Sequence, residues 1–212
     1  MTYRYFRRSS TQIMIYLAIT VLIGCGVLFL ALDTMECTFV SAVQSYAQKT
    51  LGIPLFSVVS YVGDFYLWVA FSTTFFVYTY FKSRQDLTTS LSLAVYLIVI
   101  TASTYFLKTV FARPRPHCID ITIYDSQASF SYPSGHVSRA SGALMILSRK
   151  RSAINTSLVV TVLSLLSLSR IVLGAHFPTD VFGALFLSFA LHKATKTIVQ
   201  KGFWGLEERL RL

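Results

Sequence analysis

Three short stretches of the chain hold residue types suited to phosphoryl chemistry. Lys108 and Arg115 come just before Pro116, Ser134, Gly135 and His136 follow Pro133, and Ser169 and Arg170 lead to His176 and Asp180. Ammonium and guanidinium groups are the usual ligands of phosphate oxygens, the guanidinium through two parallel N–H groups. Ser134 and Gly135 stand where a helix can open, and the free amides of a helix N-terminus favour an anion. Two histidines divide the work of displacement at phosphorus: one attacks, the other protonates the departing oxygen. His176 and Asp180 are one helical turn apart, so the carboxylate can hold one ring nitrogen and leave the other facing a substrate.

The elements that must position these residues are apolar. The chain is 54% hydrophobic and only 13% charged, with a mean hydropathy of +0.59, which is outside the range of a soluble domain of 212 residues. It reads as an all-α integral membrane protein, a six-transmembrane-helix bundle forming a single membrane domain over residues 1–212. About 20 apolar residues cross a bilayer core as a helix. The expected spans lie at about 12–32, 60–81, 87–107, 134–148, 152–170 and 180–199, with a motif-bearing outer loop at 108–133. The first run is too long for the apolar part of a signal peptide and reads as a retained span. Between Asp33 and Pro54, Asp33, Glu36, Gln44 and Lys49 alternate with Met35, Phe39, Val40, Val43 and Tyr46, the pattern of an amphipathic helix lying at the outer face. Ionisable residues in such a chain are costly to bury, so their default reading is function.

The net charge of +10 would raise nucleic-acid binding for a soluble protein, but here it has a better explanation. With six spans, 13 of the 19 Lys and Arg residues fall on one side, which the excess of basic residues in cytoplasmic loops makes the inside. Both termini are then cytoplasmic in the cell membrane, and the three polar stretches meet at the outer face. No nucleic-acid partner is expected. Of the cysteines, Cys25 lies in an apolar run, while Cys37 and Cys118 both map to the outer side, where a disulfide can form. None forms a C-x-x-C pair, and no metal site or cofactor is expected.

The motifs KTVFARPRP, PSGH and SRIVLGAHFPTD fit the patterns K-x6-R-P, P-S-G-H and S-R-x5-H-x3-D. In order and internal spacing they resemble the three signatures of the type 2 phosphatidic acid phosphatase (PAP2) superfamily. The resemblance implies a metal-independent membrane lipid phosphatase. His176 would be the nucleophile that forms a phosphohistidine, Asp180 the residue that orients it, and His136 the acid that protonates the leaving oxygen. Lys108, Arg115, Ser134, Gly135 and Arg170 would cradle the phosphate. Inhibition by vanadate is expected, because vanadate adopts the geometry of the transition state.

Within the superfamily, RPRPH, SYPSGHVSRA and SRIVLGAHFPTD are most similar to the polyisoprenoid diphosphate phosphatases. That similarity implies hydrolysis of a polyprenyl diphosphate to its monophosphate, with the lipid as partner and with Arg113 and Arg139 as candidates for holding the second phosphate. Phosphatidic acid and phosphatidylglycerophosphate are alternative substrates, and a lipid phosphotransferase would use the same groups. A phospholipid transporter is the alternative from another class, disfavoured by the absence of repeated, broken helices. His117 and His192 lie outside the motifs and are not expected to act in catalysis.

Overall fold

A computed structural model of the chain describes residues 2–50, 52–82, 84–118, 130–148 and 152–210. The helices are α1 (Thr2–Gln48), α2 (Gly52–Ser60), α3 (Phe65–Lys82), α4 (Arg84–Phe111), α5 (Gly135–Leu147), α6 (Ala153–Val172) and α7 (Pro178–Leu210), with a 3₁₀ turn at Tyr61–Gly63. No strand occurs among the described residues. Asp120 and Asp125 of the expected outer loop, and the basic run Arg149 to Arg151, lie outside them.

Two helical segments, Asp86–Phe111 and Ala153–Val172, are each long and apolar enough to cross a membrane. Counting each bent pair as one span brings the number to at most four among the described residues: Ile19–Leu28 with Ala31–Gln48, bent by 80°, and Gly52–Gly63 with Phe65–Lys82, bent by 42°. The 80° bend falls where the sequence changes from an apolar run to an amphipathic one. Two details differ from the amphipathic helix expected over residues 33–54. The helix stops at Gln48 and restarts at Gly52, and Glu36 and Gln44 are buried at 6% and 2% exposure instead of facing polar surroundings. Tertiary partners account for Glu36, as described below.

α5 has only 13 residues and is the centre of the bundle. Its Gly135, Val137, Ser138, Ala140, Ser141, Gly142 and Ala143 are all buried, and small residues of this kind let helices approach closely. At Gly142 an added Cβ would lie 2.0 Å from the Tyr96 hydroxyl of α4, which itself donates to the Ser138 carbonyl at 2.6 Å. Ser141 donates to Ser188 of α7 at 2.8 Å, satisfying hydroxyls that have no water to turn to. Thr79 and Ser90 bond at 2.7 Å across α3 and α4.

The outer surfaces have the opposite composition. Tyr66, Val77, Tyr78 and Phe81 of α3 and Ile154, Leu158 and Val160 of α6 are exposed. Such continuous apolar faces require lipid as their neighbour, and the protein is a membrane protein.

Candidate active site

The site is built from helix ends. α6 finishes in a Schellman cap: Gly174, at φ 66°, donates to the Ile171 carbonyl at 2.9 Å, and Ala175 donates to Arg170 at 3.1 Å. His176 N also reaches the Arg170 carbonyl, at 3.2 Å, so the cap delivers His176 at a fixed place relative to Arg170. α7 then begins with Pro178 in its first turn, where a missing N–H costs nothing. Asp180 lies in that turn and reaches back: its Oδ2 accepts the Phe177 N–H at 2.9 Å, the carboxylate half of a capping box.

The first motif is held by the chain end of α4. Ala112, at φ 45°, turns the backbone after Lys108 and Phe111. Lys108 Nζ donates to the carbonyls of Phe130 and of Ser131, the latter at 3.3 Å. Ser131 donates back to the Arg113 carbonyl through its N–H at 2.8 Å, which closes the two ends of the intervening segment together. Arg115 Nη1 donates to the Ala175 carbonyl at 3.1 Å and so braces the loop that carries His176. The PSGH stretch is tied to the third motif by its backbone, Ser134 N donating to the Asp180 carbonyl at 3.1 Å.

These tethers enclose a cavity of about 300 Å³. Lys108, Thr101, Thr104 and Tyr105 line it from α4, Arg115 from the following segment, Gly135, His136 and Arg139 from α5, and His176 from the α6–α7 turn. Ser134 and Arg170 are buried and do not line it; Arg170 Nη1 donates to Ser60 at 2.5 Å. The hydroxyls of Thr101, Thr104 and Ser134 have no hydrogen-bond partner, a set of idle polar groups at and beside a basic cavity. Arg139 donates to the Gly63 carbonyl at 3.3 Å and lies over the Phe65 ring. Gly63 itself packs against His136, and a Cβ there would lie 2.6 Å from the His136 Cβ.

His176 is 2% exposed, and its Nδ1 stands 3.4 Å from Asp180 Oδ2, within ion-pair reach but without hydrogen-bond alignment. Burial pushes the His176 imidazole well below its ordinary pKa; the charges of Lys108, Arg170 and Arg115 push it further, while a hydrogen bond with the Ser131 backbone opposes them. The neutral ring that results is the form with a lone pair available for attack.

Arg113 differs from the expectation of a contact to a second phosphate. It is 1% exposed and does not line the cavity. Its Nη1 donates to Asp180 Oδ1 at 2.8 Å and to Thr179 Oγ1 at 2.6 Å, its Nη2 to Glu36 Oε2 at 2.7 Å, and its guanidinium carbon is 4.0 Å from the Phe177 ring centre. Glu36 also accepts the Thr179 N–H and hydroxyl, each at 2.8 Å. Two carboxylates placed around one guanidinium out of water are each paired and hydrogen-bonded, the condition for tolerating them there. Sequence reasoning placed Glu36 on the polar face of an interfacial helix. The signal that bears on its location is the adjacent Cys37, which is bonded to Cys118 with Cα atoms 5.7 Å apart, close along the chain to Arg113.

Among the described residues one cluster has metal-ligand types, Asp33, Cys37 and His117, but Cys37 uses its sulfur in the disulfide and none of the three lines the cavity.

The chain is 33% identical over 81 residues to a decaprenylphosphoryl-5-phosphoribose phosphatase of Mycolicibacterium smegmatis, covering 38% of this chain and 43% of the relative. It is 32% identical over 84 residues to the corresponding protein of Mycobacterium tuberculosis (strain ATCC 25618 / H37Rv), covering 39% and 46%. The matched stretch thus spans less than half the length of these curated relatives. Among solved structures, the PAP2 type phosphatidylglycerolphosphate phosphatase of Bacillus subtilis superimposes with a TM-score of 0.69 at 20% identity over 87% of this chain and 96% of that one. Aquifex aeolicus LpxE superimposes with a TM-score of 0.54 at 22% identity over 77% and 93%. The family model of the PAP2 superfamily matches residues 87–204, more than half of the chain and all three motifs, and the chain belongs to that superfamily.

Proposed function

We propose that the protein is a six-span lipid phosphatase of the cell membrane that hydrolyses a polyprenyl diphosphate to the monophosphate. The observation that carries the phosphatase reading is the convergence of Lys108, Arg115, the α5 N-terminus, His136 and His176 on one cavity, with Asp180 behind the His176 ring. Both termini are cytoplasmic and the cavity opens at the outer face, a reading supported by the uneven distribution of Lys and Arg along the chain.

In this reading the terminal phosphate is held by Lys108, Arg115 and the free amides at Gly135 and His136, while Arg170 and Ser134, buried just behind the cavity wall, support the cradle with charge and packing. Neutral His176 attacks the terminal phosphorus through Nε2, and the bond from that phosphorus to the bridging oxygen breaks as protonated His136 delivers a proton to the departing lipid monophosphate. The phosphoryl imidazole keeps its Nδ1 proton and is cationic, and Asp180 stabilises it. Water then attacks phosphorus, His136 takes the proton, and the Nε2–P electron pair returns to the ring. No metal is needed in this sequence of steps. Arg139, on the cavity wall one turn from His136, is the candidate for holding a second phosphate in this reading.

A polyprenyl chain is supported by the names of the matched relatives, which are decaprenylphosphoryl-5-phosphoribose phosphatases. The glycerolipid reading is favoured by one observation, the likeness of almost the whole fold to a phosphatidylglycerolphosphate phosphatase. Phosphate release from farnesyl diphosphate, phosphatidate and phosphatidylglycerophosphate, measured side by side on purified protein with His176→Ala as control, separates them. Preference for a glycerolipid overturns the polyprenyl assignment. Activity retained by His176→Ala overturns the phosphohistidine route.

A further inference from the structure

Glu36 is contributed by α1, outside all three motifs and outside the residues 87–204 matched by the family. It nevertheless ends two bonds away from Asp180, the carboxylate that stands against the His176 ring: Glu36 Oε2 to Arg113 Nη2 at 2.7 Å, and Arg113 Nη1 to Asp180 Oδ1 at 2.8 Å. The other Asp180 oxygen faces His176 Nδ1. Thr179 locks the same group from the side, accepting from Arg113 and donating to Glu36 through one hydroxyl. We propose that Glu36, acting through Arg113 and Thr179, is a positioning residue that sets the Asp180 carboxylate behind His176 and balances its charge. This inference rests on His176 being the nucleophile.

The charge count explains why a second carboxylate is present. With Glu36, Arg113 and Asp180 ionised, the buried group sums to one negative charge, which the phosphorylated His176 cation neutralises. Without Glu36, Arg113 alone cancels Asp180, and nothing in the group answers the ring's developing charge. Lys108, Arg115 and Arg170 face His176 from the other elements and add positive charge, so the need for a compensating anion behind the ring is large. Without Arg113, Glu36 and Asp180 confront each other in a dry place with no cation between them, which is the costlier defect.

The test compares wild type, Glu36→Gln, Arg113→Met, the Glu36→Gln/Arg113→Met double variant, Thr179→Val and His176→Ala, each purified in detergent and checked for a single folded species by gel filtration. Measured are kcat and KM for release of phosphate from farnesyl diphosphate and from phosphatidate, and inhibition by vanadate and by inorganic phosphate. Vanadate must bond to the nucleophile, whereas phosphate needs only the cradle. Glu36→Gln is expected to lower kcat about 10–100-fold, the range over which outer partners of reacting or ligating histidines act, with KM nearly unchanged. Vanadate inhibition weakens with it while phosphate inhibition stays, and the double variant is more active than Arg113→Met alone. Thr179→Val gives the same split at about 2–10-fold, the equivalent of one hydrogen bond, and decides the matter if Glu36→Gln does not fold. Wild-type kcat in a folded Glu36→Gln, or in Thr179→Val where that variant decides, overturns the inference, as does equal weakening of vanadate and phosphate. His176→Ala with full activity overturns the phosphohistidine route and the inference with it, while a wild type that releases no phosphate from either lipid overturns the phosphatase reading itself.

Discussion

Arg170 holds His176 through its own backbone: the Arg170 carbonyl accepts the His176 N–H at 3.2 Å and the Ala175 N–H at 3.1 Å. The spacing between these two motif residues is therefore the spacing of a helix cap. Gly174 makes the cap possible by adopting φ 66°, a conformation in which a Cβ costs about 1–2 kcal/mol. Gly174→Ala should lower the thermal midpoint and reduce kcat, because relief of the strain displaces His176 from Asp180. Thermal denaturation in detergent and phosphate-release assays measure both.

Gly63 is the corresponding contact for the other histidine. A Cβ at this position would meet His136 at its Cβ, at 2.6 Å, and at its Cα, at 2.9 Å, and a backbone atom cannot rotate away. Gly63→Ala should therefore cost about 10²–10⁴-fold in kcat, the contribution of a positioned general acid. Inorganic phosphate should still inhibit, somewhat less than in wild type because the His136 amide shifts, since Lys108 and Arg115 are untouched. Parallel loss of phosphate inhibition would count against this prediction.

Stability should depend on pH through His176. Its folded pKa lies well below the ordinary value of 6.5, so the folded state leaves it neutral at a pH where the unfolded chain protonates it. Its stabilising contribution is thus complete above about pH 6.5 and is lost progressively as pH falls towards the depressed folded value, at up to about 1.4 kcal/mol per pH unit. The thermal midpoint should drop between pH 7 and pH 5, and His176→Asn should flatten that part of the curve. An unchanged slope in the variant would assign the dependence to another group.

Much of the site could be read from the sequence because each motif sits at the end of an apolar run. Lys108, His136 and His176 each lie next to a boundary between such a run and a turn, and in the proposed six-span arrangement those boundaries fall on one side. Their meeting at a cavity follows from this arrangement. Glu36 could not be read in the same way. Its spacing with Asp33, Gln44 and Lys49 is that of a solvated face, and only contacts to Arg113 and Thr179, far along the chain, change its environment. Arg113 is equally open: without the motif that singles out Arg115, local sequence does not distinguish an arginine on the cavity wall from one behind it. The break at Thr50 between α1 and α2 was also missed, since neither Thr50 nor Gly52 interrupts the apolar pattern strongly enough to end a helix.

The bond between Cys37 and Cys118 gives the fold a chemical handedness with respect to the bilayer. It joins α1 to the segment just beyond Arg115, and such bonds persist in oxidising compartments while reducing ones keep thiols apart. A molecule threaded upside down would leave both sulfurs in a reducing medium and the bond open. In the proposed orientation the crosslink and the cavity both face the oxidising side, so a molecule inserted the other way would lack the covalent seal.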